Sequence, residues 1–440
     1  MGVLVLMFKK ITMRNFMSFK DTSVDLCVKK DSPPNYALFY GENGAGKSNL
    51  IQSVSFLKES VTTMKAEKIF SANPPNIPAE MIPRMPNLAD IFRVVKTVDS
   101  TENMYLCYEM SVHKRNTVYE MEFSDNELIR EELHTSLGKK TGLLYSIENK
   151  NGRKKIYMAD KFVKDPRFKD ELMQQIPRFW GKNSFLAILD LMTIDTNPEY
   201  LEDNVMYVYD IISYIESIQV SVAPIFGQVR CDPYPFLANL ESGIIKKTDE
   251  HALRAYEKAL NRFFRRLYHN VTKVHYELSP SGDMIRYRLL FDRKMDGRVV
   301  TIPSVMESNG TRKLVSIFNT LITCSSDGIA FIDEMDSGVH DKLICDLLSQ
   351  TLPEVGGQLI ITTHNTELLK HVPPKNVFVI DVDSDGYKEV RNFNKTVRTQ
   401  TNNNNQTRYM NNAVGGIPFI GIVDLKGIAE ELREGLSANV

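Results

Sequence analysis

The chain has 440 residues, 42% of them hydrophobic, with 54 Lys+Arg against 55 Asp+Glu and a net charge of −1. That length and apolar content can bury at least one large core and predict two or three domains. The balanced charge excludes a global basic excess that would advertise nucleic acid, leaving only local basic faces to weigh. Five cysteines with no C-x-x-C pair argue against a disulfide framework and a zinc hook, and fit a reducing cytoplasm. The apolar opening "MGVLVLMFKK" is too short for a secretory or membrane segment, so no membrane association is expected and its second half reads as the start of a strand.

From Phe8 to Asp25 the residues alternate loosely and favour strand, and "YALFY" at 36–40 is a short apolar run of the kind that forms a buried strand. It leads into "GENGAGKSNL" at 41–50, which fits the phosphate-loop pattern G-x-x-x-x-G-K-[ST]. Gly41, Gly44 and Gly46 permit the tight backbone that points N–H groups at phosphate oxygens. The expected nucleotide contacts are Asn43, Gly44, Ala45, Gly46, Lys47, Ser48 and Asn49, with Lys47 reaching the β- and γ-phosphates and Ser48 a Mg²⁺ ligand. Leu50, Val54, Leu57 and Val61 recur at helical spacing, so a helix N-terminus adds its partial positive charge to the loop.

The stretch 71–87 is too proline-rich for regular structure, and the alternating runs "MYLCYEMSV" and "TVYEMEFSDNELIREEL" predict antiparallel strands. Residues 160–270 read as mainly helical, ending in "HALRAYEKALNRFFRRLY". Its Arg254, Lys258, Arg262, Arg265 and Arg266 form either a solvated face, the more economical reading, or a phosphate-binding one. Strand pattern returns in "VHYELSP" and "IRYRLLFDR", and "TQTNNNNQT" at 399–407 reads as a flexible loop.

Downstream, "ESNGTRKLVSIFNTL" predicts a helix opened by a Ser-x-Gly-Thr turn. "DGIAFIDEMDSG" is an apolar strand ending in Asp333 and Glu334, suited to holding a Mg²⁺ shell and to polarising an attacking water. "GQLIITTHNTELL" is a second apolar strand, ending at Thr362, Thr363 and His364, where the imidazole can contact a γ-phosphate. "DVDSDG" at 381–386 mimics the start of a calcium loop, but Asn392 stands where that loop needs Glu, so a β-turn between strands is expected.

The order of phosphate loop, Ser-x-Gly-Thr, Asp-Glu strand and Thr-His strand resembles the ATP-binding cassette ATPases, in particular their SMC and RecF branch, whose first strand "ITMRNFMSFKD" also resembles. More narrowly, "DEMDSGVHDKL" and "RYMNNAVGGIPFI" resemble motifs of AAA-type ATPases from bacterial abortive-infection and antiphage systems, the PtuA-like and AriA-like ATPases among them. The resemblance covers roughly 1–60 and 300–420. It implies an α/β P-loop NTPase of the SMC/RecF head type with a largely helical insertion, divided as an ATPase lobe at 1–135, an insertion at 136–300 and a second lobe at 301–440. It further implies a homodimer or higher homo-oligomer in which Ser308 and Gly310 of one subunit close over ATP held by Lys47 of another. Glu334 would be the general base, Asp333 and Ser48 would hold Mg²⁺, His364 would sense the γ-phosphate, 336–340 would link the two sites, and Arg14, Asn15 and Phe16 would lie near the base. A cytoplasmic sensor of phage DNA or a phage protein, controlling a separate nuclease or toxin, is the implied role, with a RecF-like DNA-repair ATPase as the alternative. A transporter ATPase is disfavoured by the first strand and by the lack of a glutamine loop after the first helix.

Overall fold

The computed structural model describes residues 6–28, 32–72, 87–136, 141–194, 196–205, 208–223, 239–396, 404–417 and 423–437. The chain opens with β1 (Leu6–Phe16) and β2 (Phe19–Asp25), then β3 (Tyr36–Tyr40), whose end passes through the phosphate loop into α1 (Lys47–Ala72). After α2 (Leu88–Val95) come β4 (Met104–Val112), β5 (Arg115–Phe123), β6 (Leu128–Ser136), β7 (Thr141–Lys150) and β8 (Arg153–Met158). These form one antiparallel sheet of order β2-β1-β4-β5-β6-β7-β8. Its strands alternate buried and exposed positions, as one-faced antiparallel strands do, and the buried face packs on α1.

Four helices follow, α3 (Pro166–Phe179), α4 (Phe185–Thr193), α5 (Pro198–Asn204) and α6 (Val208–Ser217). The short β9 (Gln219–Ser221) then returns the chain to the central sheet. A second antiparallel unit comprises β10 (Ser242–Lys246), β11 (Val271–Ser281), β12 (Met284–Met295) and β13 (Arg298–Pro303). It is covered by α7 (Glu250–Leu267), which buries Leu253, Leu260 and Phe264 and turns its arginines outward. The last third supplies α8 (Asn309–Ser325), β14 (Ile329–Ile332), α9 (Asp341–Thr351), β15 (Gln358–Thr362), β16 (Val377–Val382) and β17 (Lys388–Asn392). Three short helices end it: α10 (Phe393–Thr396), α11 (Asn405–Met410) and α12 (Leu425–Ser437).

The central sheet has the order β17-β16-β3-β15-β14-β9 and is parallel except for β17, which the turn at 383–387 folds back on β16. Strands β14 and β15 are buried at every residue, the pattern of parallel strands covered on both faces. Their side chains separate by period two. Phe331 and Ile360 join the core shared with α1 and the antiparallel sheet, whereas Ala330, Ile332, Leu359 and Ile361 join a second core under α8, α9 and the β10–β13 unit.

Two expectations need correction. The boundary at 135/136 falls inside a sheet, since β6 pairs with β7 with Leu133 opposite Tyr145, so the antiparallel unit runs on to β8. The span 136–300 also divides among three places: β7, β8 and helices α3–α6 pack into the core shared with α1, β9 joins the central sheet, and β10–β13 make a sheet of their own covered by α7. Most of the proline-rich stretch 71–87 lies outside the described residues, as does the first part of 399–407, whose end opens α11 on the Asn404 cap.

Candidate nucleotide site

The phosphate loop is shaped by close approaches that only small residues allow. Gly41 has φ +153°, and a Cβ there would stand 2.7 Å from the Ile380 carbonyl oxygen of β16. The loop ends where α1 begins, so the N–H groups of its first turn face the cleft. Lys47, only 6% exposed, donates from Nζ to the carbonyls of Gly41 and Glu42, at 2.9 Å each. Below the loop, the Tyr409 ring of the C-terminal Arg-Tyr motif packs on Tyr40 with centroids 5.4 Å apart, and its hydroxyl donates to the Gly416 carbonyl at 3.0 Å.

The acids arrive on the neighbouring strands. Asp333 and Glu334 follow β14, and His364 follows β15, which lies between β14 and β3. Thr362 ties the two strand ends together: its hydroxyl donates to Asp333 Oδ1 at 2.6 Å and accepts from the Glu334 N–H at 2.8 Å. Glu334 holds φ +44°, an uncommon conformation for a non-glycine residue, and its side chain is exposed to the cleft. Lys313 of α8 donates to the Asp333 carbonyl at 2.9 Å, so the peptide that leads into Glu334 is held from both sides. The His364 N–H donates to Asp336 Oδ2 at 3.1 Å, which joins this strand end to the loop 336–340.

Together these elements line a cleft of about 330 Å³ bounded by Ser18, Asn43, Gly44, Gly46, Lys47, Ser48, Asn49, Glu334 and His364. Among the expected contacts, Ala45 is buried beneath the loop rather than in the cleft wall. Arg14, Asn15 and Phe16 do not line it. Phe16 is buried edge-on against Phe56, Asn15 donates to the Asn103 carbonyl at 3.0 Å, and Arg14 lies over the Tyr105 ring and 3.3 Å from Asp21. Strand alternation commits these residues to the antiparallel sheet. The turn after them brings Ser18 to the loop instead, where its hydroxyl accepts from Asn49 and from Lys388, both at 2.6 Å. Lys388 also donates to the Gly44 carbonyl at 2.8 Å.

Ser308 and Gly310 lie outside this cleft. Ser308 caps α8 by accepting from the Thr311 N–H at 3.2 Å, and its side chain is exposed on the surface. Gly310 has a steric duty within its own chain, because a Cβ there would meet the Gly338 carbonyl oxygen at 2.3 Å. The opening of α8 therefore sits directly on the loop 336–340.

Charge in the cleft is dense. Burial holds Lys47 below the usual lysine value against the pull of Glu334, Asp333 and Asp336, and the same balance acts on Lys313. Burial and then the Lys47 charge push the His364 imidazole down, which favours its neutral form. Ser48 lines the cleft, whereas Asp333 and Asp336 lie behind its wall: Asp333 commits one carboxylate oxygen to Thr362, and Asp336 Oδ1 is buried with no hydrogen-bond partner among the described residues. Oxygen donors of this kind suit a hard divalent cation. Sequence reading missed Ser18, Lys313 and Lys388. Only Ser18 left a signal, by its place two residues beyond the flagged Arg14–Phe16.

The fold is an α/β one in which the phosphate loop joins β3 of a mainly parallel central sheet to α1. Similar solved structures include an SMC head bound to the C-winged helix domain of ScpA, at 12% identity over 87% of this chain and 96% of that one, with a TM-score of 0.40. The SMC head domain from Thermotoga maritima matches at 14% identity over 88% and 98%, with a TM-score of 0.31. The recombination mediator RecF with ATP matches at 13% over 88% and 100%, with a TM-score of 0.36. No curated protein matches the chain. The profile of the AAA domain family covers residues 10–266, more than half of the 440-residue chain, and the chain belongs to that family.

Proposed function

We propose that this protein binds and hydrolyses ATP with Mg²⁺ at the cleft, as a head-to-tail dimer whose ATP cycle senses a phage-derived signal and controls a separate effector. The observation that carries the catalytic part is the convergence of Lys47, Glu334 and His364 on one cleft from the ends of β3, β14 and β15. Backbone N–H groups of 43–48 would hold the β- and γ-phosphates, and Lys47 would exchange the Gly41 and Glu42 carbonyls for phosphate oxygens. Glu334, in its raised-φ turn, would accept a proton from the attacking water, and neutral His364 would donate to the γ-phosphate. Mg²⁺, held by Ser48 and Asp333, would supply charge neutralisation at the phosphates. Ser308 on its exposed cap is suited to reach a nucleotide on a second copy.

The defence role is supported by the "DEMDSGVHDKL" and "RYMNNAVGGIP" motifs, and its trigger is phage DNA or a phage protein. A second reading, a RecF-like DNA-binding ATPase, is favoured by one observation: Arg262, Arg265 and Arg266 are exposed on α7. In that case duplex affinity falls steeply with salt and drops when Arg262 and Arg265 become Glu. The catalytic proposal is tested by titration with ATP and Mg²⁺ and by phosphate release. Lys47→Ala should lose binding, while Glu334→Gln should bind ATP and hydrolyse it roughly 100-fold more slowly. Normal turnover by either variant rejects the site.

A further inference from the structure

Helix α12 leaves its apolar stripe uncovered. Leu425 is 74% exposed, Ile428 55%, Leu432 65% and Leu436 68%, and their spacing of three, four and four residues puts them on one face. The opposite face carries Glu430 and Glu434, and every described side chain from Leu425 to Leu436 other than Gly427 is exposed. A helix of 13 residues is near the lower limit for a stable isolated helix in water, so this one gains most of its order from whatever covers the stripe.

We propose that the cover is α12 of a second copy of this chain, packed parallel to the first, as a contact separate from the ATP-dependent closure. The charges that border the stripe select both partner and direction. At about 100° per residue, Lys426 and Arg433 fall on one flank of the stripe and Glu431 on the other. In a parallel pair related by a two-fold along the helix axes, each basic flank meets the partner's acidic flank, with Arg433 within a turn of the partner's Glu431. An antiparallel pair sets like flanks together and is opposed by the same charges. The acidic outer face also disfavours an anionic membrane as the cover. A parallel pair stacks Leu425, Ile428, Leu432 and Leu436 on their own copies. It spans only about 20 Å, so the resulting dimer is weak and concentration-dependent.

Sedimentation velocity of the full chain, without nucleotide or Mg²⁺ over roughly 1 to 100 µM, reads this contact apart from any ATP sandwich. The wild type should pass from monomer to dimer, and Leu432→Glu should stay monomeric with its melting temperature and nucleotide titration unchanged. Arg433→Glu should weaken the dimer several-fold, and the reciprocal swap Glu431→Arg with Arg433→Glu should restore it. Leu432→Cys, oxidised mildly, should cross-link to its own copy at a yield the wild type does not show. A wild type that is monomeric throughout, as it would be if another protein were the cover, overturns the proposal. Dimerisation of Leu432→Glu equal to the wild type does the same. Failure of the reciprocal swap or of the cross-link overturns the parallel arrangement. Because nucleotide is left out, none of these results depends on the ATPase reading.

Discussion

The backbone geometry of Glu334, the proposed general base, is set by its neighbours. Its backbone lies at φ +44°, its N–H is fixed by Thr362, and the carbonyl before it is fixed by Lys313. A charged hydrogen bond to a carbonyl in a partly buried setting is worth about 1.5–3 kcal/mol, and losing it frees the turn that aims the carboxylate. Lys313→Ala should therefore lower kcat by about tenfold or more while ATP affinity stays close to the wild type, and Lys313→Arg should recover part of the rate. Phosphate release and ATP titration check this together, and a fall in affinity with unchanged kcat would assign Lys313 to binding instead.

At the scale of elements, the phosphate-loop helix is anchored to the inserted helices by a buried ionic group. Lys65 of α1 lies 3.2 Å from Asp190 of α4 and 2.8 Å from Glu216 of α6. Burial and the adjacent Glu216 push Asp190 up to about 7 from its usual 3.8. The folded state thus binds a proton that the unfolded chain has released. The stability linked to it is fully present below pH 3.8 and is lost as the pH rises through about 7. Thermal melts across that window should show the decline, and Asp190→Asn should flatten it.

The antiparallel sheet meets the same inserted helices at Glu131, which is fully buried. It accepts from Tyr119 and Tyr145 at 2.9 Å, from Trp180 Nε1 at 2.8 Å and from the Phe185 N–H at 2.7 Å. Glu131→Ala strands those donors without water and should cost about 3 kcal/mol or more, read as a lower denaturation midpoint. A change under about 0.5 kcal/mol would mean that the junction relaxes around the gap.

For the whole molecule, the central sheet separates two cores and offers its strand ends as one edge, where open α/β sheets present their ligand sites. The proposed head-to-tail dimer makes a distinct prediction because Glu334 and Ser308 would serve the same nucleotide from different subunits. Ser308→Arg should block ATP-dependent association while leaving its own phosphate loop intact, and Glu334→Gln should accumulate the ATP-bound dimer. In a mixed dimer of the two variants, one composite site carries both lesions and the other carries neither, so mixing should raise turnover above either variant alone. Light scattering with ATP and phosphate release on the mixture decide it. Additive, unrescued activity would point to a site complete within one chain.

What the amino-acid order determined by itself was local. The run from "YALFY" through the glycine loop into α1 is contiguous, and its hydrogen bonds, positive-φ glycines and helix N-terminus close within about ten residues, so composition and spacing suffice. The all-apolar β14 and the apolar centre of β15, Leu359–Ile361, were legible for the same reason: a parallel strand covered on both faces favours an unbroken apolar run. The tertiary structure decided which of these strands became neighbours, and with that which distant side chains reached the loop. Gln358 pairs with both backbone groups of Phe8, at 2.8 and 3.0 Å across 350 residues, and stitches the two sheets together. Phe16 went to the core and Ser18 to the cleft because the strand pleat and the β1–β2 turn, rather than residue type, set their directions. Lys313, Lys388 and the boundary at β8 were hidden for a common reason. Each depends on contacts between segments far apart in sequence, and those follow from packing the whole set of elements at once.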